Sequence, residues 1–174
     1  MTQSMMQGAN GYLFSQFDKS SDTTLADIGD PSTTAPKPSI FRCTLFPTNT
    51  GVIQIYTQAK YSFIAKLWVT ADATGGCKLA VNFTGTVSAI IYEVKMLDNA
   101  TKAFVATSKQ TASGGAVSQT GSTNLFIEVE GSIDVGGSGA GAEGVLSIQF
   151  AQQAASGTSS VLAGSFFHVN AEGI

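Results

Sequence analysis

Between Lys37 and the C-terminus, apolar and polar residues alternate with a period of two, in short runs interrupted by Gly-rich breaks. This pattern restricts the fold more than any other feature. Side chains two apart in an extended chain point to one face, whereas a helix needs a repeat near 3.6. The longest run, Tyr61–Ala71, puts Tyr61, Phe63, Ala65, Leu67 and Val69 on one side; Ser62, Ile64, Lys66, Trp68 and Thr70 take the other. No long segment keeps a helical repeat, although Gln149–Ala155 could form a turn or two.

Read this way, strands are expected at Ile40–Phe46, Val52–Tyr56, Tyr61–Ala71, Cys77–Thr84 and Val87–Leu97, then at Ala103–Ser108, Leu125–Val135, Val145–Ala151 and Ser160–Val169. Gly85 breaks an otherwise continuous ribbon, as glycine does at a bulge or bend. Asp98-Asn99-Ala100-Thr101 is expected to turn Val87–Leu97 back onto Ala103–Ser108. In Leu125–Val135, Leu125, Ile127, Val129, Ile133 and Val135 oppose Glu128, Glu130, Ser132 and Asp134. Strands so spaced predict an all-β fold, a two-sheet antiparallel sandwich of jelly-roll type, over residues 37–174. A body of this size can bury roughly 70% of its unfolded surface.

Residues 1–36 lack this order and are read as an extended N-terminal arm. They contain one apolar knot, Tyr12, Leu13, Phe14 and Phe17, too greasy for a solvated tail. The knot is expected to anchor on the body, on a sister subunit or on a partner, or else to form a first strand of the domain's own sheet. Pro31, Pro36 and Pro38 then impose an extended connector.

Charged residues make up only 12% of the chain, about half the ordinary share. So little charge favours a surface partly covered by other subunits. The arm, with four Asp and one Lys, holds the whole net charge of −3. Residues 37–109 carry eight basic groups against three acidic; beyond Lys109 there are five acidic groups and no Lys or Arg. This split would suit head-to-tail contacts between copies if the halves show different faces. It offers no basic track for nucleic acid. No apolar run is long enough to span a membrane, and the N-terminus lacks the charged and apolar regions of a secretory signal.

Side chains equipped for chemistry are few. His168 is the one histidine, set among Phe166, Phe167 and Val169, and reads as a surface or interface residue. Cys43 and Cys77 lack metal spacing and read as two reduced thiols, or as a disulfide. Glu128 and Glu130 are neighbours on one strand face, where a solvated face explains them as well as a carboxylate pair would. The glycines of Gly136–Gly144 lie between strands with no Lys nearby, unlike a phosphate cradle. No catalytic, metal or cofactor site is expected. Trp68, in phase with Lys66 and Ser62, reads as a subunit contact, a lid on the core or a sugar-stacking platform.

The C-terminal half combines Ile127–Val135 ("IEVEGSIDV"), the Gly-rich loop and Gly144–Val169 ("GVLSIQFAQQAASGTSSVLAGSFFHV"). With Lys60–Ala71 ("KYSFIAKLWVTA") and Phe83–Ala89 ("FTGTVSA"), this resembles virion proteins of tailed bacteriophages: decoration proteins, head fibres and tail-fibre tips. The resemblance implies a jelly roll of the tumour-necrosis-factor-like or viral type, usually a homotrimer. It further implies a structural role in the virion, with no enzymatic activity. The expected function is a trimeric decoration or cement protein bridging subunits of a phage head, its partners being itself and the major capsid or another virion protein. The alternative is a fibre or spike tip binding a host-surface glycan. Tyr12, Leu13, Phe14 and Phe17 would anchor the arm, and Trp68, Tyr92 and Phe126 are candidates for the seam between copies.

Overall fold

The computed structural model describes residues 17–20, 26–27, 53–55, 59–135, 144–162 and 165–173. Three short strands come first: β1 (Phe17–Ser20), β2 (Ala26–Asp27) and β3 (Ile53–Ile55). Next are β4 (Ala59–Thr70), β5 (Cys77–Phe83), β6 (Ala89–Asp98), β7 (Phe104–Gln110) and β8 (Val117–Gln119). The set ends with β9 (Asn124–Val135), β10 (Gly144–Ala151), β11 (Thr158–Val161) and β12 (Phe166–Gly173). No helix occurs among the described residues. Tyr12, Leu13, Phe14, Cys43, the expected strand Ile40–Phe46 and most of the Gly-rich loop lie outside them.

The strands form two antiparallel sheets, as the alternation predicts. The larger has seven strands in the order β1-β11-β4-β9-β6-β7, with β12 also on β4; the smaller has five, β2-β10-β5-β8, with β3 also on β10. The β6–β7 hairpin forms where expected, turning through Asp98–Ala103. The described parts of the 1–36 segment pair with the body rather than standing apart from it. Phe17 lies opposite Val161 at one edge of the larger sheet, and Asp27 opposite Gln149 in the smaller.

β4 organises the larger sheet. Along one edge it pairs with β9 over its whole length, from Ala59↔Val135 to Thr70↔Asn124. Its other edge takes β11 and then β12, so the single strand expected at Ser160–Val169 is in fact two. The break is local and physical. Four residues separate Val161 from Phe166, whereas their partners Val69 and Lys66 are separated by two. Ser165, wholly buried, closes the gap: its hydroxyl accepts the Trp68 N–H at 2.9 Å and donates to the Leu162 carbonyl at 2.8 Å. The Leu162 N–H in turn donates to the Trp68 carbonyl at 2.7 Å. One serine thus stands in for ladder hydrogen bonds that the bulge removes.

The inward positions of both sheets share one core. Leu67, Ile127 and Met96 form one row across β4, β9 and β6, and Ala65, Val129 and Val94 form the next, all with no exposure. From the smaller sheet come Leu79, Val81, Phe83, Leu146, Ile148 and Phe150. Gly131 leaves room for the Phe63 ring and the base of the Tyr92 side chain, since a Cβ there would meet the Tyr92 Cβ and come 2.7 Å from the Phe63 ring. Phe63 stands edge-on to Phe167, with ring centroids 6.2 Å apart. In the smaller sheet burial extends to both faces: Ala80, Ser147 and Ala151, out of phase with the core positions, are also buried.

Candidate functional site

Register decides what the outer face of the larger sheet presents. Trp68 on β4 pairs with Phe126 on β9, Phe126 with Leu97 on β6, and Leu97 with Phe104 on β7. Directly opposed residues share a face, so Trp68, Phe126 and Leu97 form one row across three strands; Phe104 meets Leu97 across a register shift, and Val105, the residue skipped at that bulge, is exposed too. Trp68 is 42% exposed and Phe104 66%, while Phe126 and Leu97 are half-buried. The Trp68 and Phe126 rings are 4.7 Å apart and tilted by 48°, within the range of attractive aromatic pairs. On the far side of β4, the Leu162 N–H donates to the Trp68 carbonyl at the bulge.

Both flanks of the row are fixed by backbone devices. At Trp68 the Ser165 bridge holds the peptide. At Phe104 the chain leaves a turn in which the Asp98 carboxylate accepts the N–H groups of Ala100 at 2.7 Å and Thr101 at 3.0 Å. Lys102 completes that turn at φ 60°, a left-handed conformation unusual outside glycine. The Thr101 N–H, then the Ser122 side chain and the Ala100 N–H, hold the Asp98 carboxyl below its ordinary range. Asp72 is lowered in the same manner, first by the Gly75 N–H, in the turn joining β4 to β5.

Beside the apolar row lies a mosaic of opposite charges. Lys66, Glu128 and Lys95 make the adjoining row; Glu130 and Glu93, directly opposed, make the next, with Lys109 beyond them. Lys66 pairs with Glu128 at 3.6 Å and Lys95 with Glu93 at 3.0 Å. The Lys95 ammonium is held above its usual range, first by its hydrogen bond to Glu93, then by the charges of Glu93, Glu128 and Glu130. The expected adjacency of Glu128 and Glu130 is present, and Glu128 faces a lysine. A shallow depression next to these residues is lined by Ile91, Glu93, Lys109, Glu130, Gly131 and Ser132.

Two of the three seam candidates therefore meet: Trp68 and Phe126 stack on the outer face. Tyr92 does not join them. It points inward, is 1% exposed, and its hydroxyl donates to the Gly115 carbonyl at 2.8 Å. The phase of β6 explains this, because Ile90, Tyr92, Val94 and Met96 all take the core side. Phe17 is placed by its backbone at the sheet edge; Tyr12, Leu13 and Phe14 fall outside the described residues. Leu97 and Phe104 were not legible as site residues, since only cross-strand register sets them beside Phe126. An apolar residue in the outward phase of β6, at Leu97, was the one available signal.

Among the other described residues the chemically competent groups are occupied or scattered. His168 is half-buried opposite Ile64. Cys77 is a buried, unpaired thiol whose pKa burial raises to about 11, with a contact from the Gln119 amide lowering it slightly. Among the described residues no three His, Cys, Asp or Glu side chains cluster as metal ligands would. No family model and no curated protein matches this sequence.

Proposed function

We propose that this chain is a structural protein of a phage virion, a jelly-roll subunit that assembles as a trimer and decorates or cements the head shell. The observation that supports this reading best is the row Trp68–Phe126–Leu97, with Phe104 beyond it across the bulge. These apolar side chains on hydrogen-bonded strands form a rigid, preshaped strip, and apolar strips rimmed by polar groups suit protein contacts. Rigidity matters because little side-chain and backbone freedom is then lost on docking. The adjoining Lys and Glu rows would set register between partners more than strength. In this reading Trp68 and Phe126 lie at a contact between copies. Tyr12, Leu13, Phe14 and Phe17 grip the shell, and many repeated contacts together resist internal pressure. The activity is mechanical, with no reaction to catalyse.

The test is direct. Light scattering on the purified chain should report a trimer, and particles carrying the protein should contain it in hundreds of copies. A monomer at all concentrations that is absent from particles would sink the reading. A glycan-binding tip is the second reading. It is favoured by the tilted Trp68–Phe126 pair lying one row from Thr70 and Asn124, an aromatic platform beside polar groups. A few copies per particle, together with binding to host-surface glycans lost on Trp68→Ala, would select it.

A further inference from the structure

We infer that the free edge of β7 pairs with the β7 of a second copy, antiparallel and about a two-fold axis at Thr107. β7 ends the larger sheet: one edge is bonded to β6, and among the described residues no strand takes the other. The N–H and C=O groups along such an edge are best satisfied, away from water, by another extended chain. Its side chains are also unusual for an edge. Phe104 is 66% exposed and Val105 39%, and among the described residues only Trp68 and Ile91 are comparable large apolar groups at the surface.

The sequence of β7 selects both partner and register. The bulge at Phe104–Val105 interrupts regular pairing at one end, and the strand stops at Gln110 at the other. The regular stretch is Val105–Lys109, with Thr107 at its centre. Faces must match as well: Thr107 and Lys109 are exposed, whereas Ala106 packs against the core. About Thr107, Thr107 meets its own copy, Ala106 meets Ser108, and Val105 meets Lys109. Threonine pairs are favourable across strands, and the Lys109 stem can cover Val105 while its ammonium stays in water. Lys109 is the sole charge of β7. This register keeps the two copies of it roughly 14 Å apart, beyond the screening length of about 8 Å at physiological salt. Moving the axis toward Gln110 brings the lysines together, and moving it toward Phe104 puts the bulge into the ladder. A charge and a bulge, which usually keep edges apart, here leave one register open. The contact is small, so it is weak between free molecules and grows where copies are crowded. It is separate from the Trp68–Phe126 seam and does not need the virion reading; if that reading holds, a two-fold edge joins neighbouring trimers.

Thiol capture detects even a weak pair. In a full chain carrying Cys43→Ser, which leaves the buried Cys77 as the native thiol, Thr107→Cys should form a covalent dimer under mild oxidation. Val105→Cys and Lys109→Cys chains should link when mixed and lose that link when either is oxidised alone, because unlike positions are the ones opposed. Adding Val105→Lys to the Thr107→Cys chain sets ammonium groups opposite each other and should cut the dimer yield several-fold. Absence of capture, capture without preference for the mixed pair, or a yield indifferent to Val105→Lys would overturn the proposal. Cooperative thermal unfolding matching that of the native chain establishes that each variant is folded. All the substitutions within β7 fall at exposed positions of an edge, where folding tolerates them. Particles and the Trp68–Phe126 seam play no part in this readout, so its failure leaves the virion reading standing, and the reverse holds equally.

Discussion

On β4, β9 and β6 the inward residues Leu67, Ile127 and Met96 are sealed from solvent, while their immediate neighbours Trp68, Phe126 and Leu97 carry equally apolar side chains to the other side. The two rows have similar composition and the same backbone. They differ in parity alone, and parity decides whether a side chain is surrounded by protein or faces outward with neighbours on one side. Apolar character that the core does not need is the more informative kind.

Truncation separates the two rows most sharply. Leu67→Ala or Ile127→Ala should cost about 2–5 kcal/mol, since each leaves a cavity in a filled core. Trp68→Ala or Phe126→Ala should cost less, about 0.5–1.5 kcal/mol for the aromatic pair plus the smaller area that each ring buries. Urea unfolding of the four variants measures this, and equal costs on both rows would erase the distinction. Ser165→Ala comes next. It strips the bulge of a buried hydroxyl that both accepts and donates, and a loss of about 1–3 kcal/mol is expected. It should also alter Trp68 emission, tying the outer row to the device that holds it.

Acid titration reaches the turns flanking the rows. Asp72 and Asp98 both have folded pKa values below their ordinary ones. Their stabilising contribution is thus fully present above the unfolded carboxyl value, about 4, and fades as pH falls through the lower folded value. Melting temperatures recorded below pH 4 should drop for the native chain and drop less for Asp72→Asn or Asp98→Asn. Parallel curves would remove the turns from the account. The smallest effect belongs to the charge mosaic: a double-mutant cycle on Lys66 and Glu128 should give about 0.2–1 kcal/mol, shrinking with salt.

Much of this was readable in advance. The facing sets of β4 and β9 follow from alternation alone, and so does the outward phase of Trp68. The β6–β7 hairpin was legible from its Asp-Asn turn. Tyr92 was misplaced because its residue type suggested an interface, although its own alternation with Val94 and Met96 pointed inward. β8 was hidden because Val117–Gln119 is too short to show a period. The division of β11 from β12 depends on a hydroxyl, Ser165, bonding a backbone far away in sequence. No local pattern encodes that contact. The apolar row had the same obstacle, since Leu97 and Phe104 become neighbours of Phe126 only once three registers are known.

The position of β4 has a consequence for synthesis. Its partners β9, β11 and β12 begin only at Asn124, Thr158 and Phe166, so the ribosome makes this strand well before anything can cover either edge. At roughly 5–20 residues per second, that interval lasts seconds. A nascent segment reading Tyr-Ser-Phe-Ile-Ala-Lys-Leu-Trp-Val is the type that sticks to its own kind, and Lys60 and Lys66 are the charges within β4 that oppose this. Replacing both with Thr should leave the finished subunit intact while sending newly made chains into inclusion bodies.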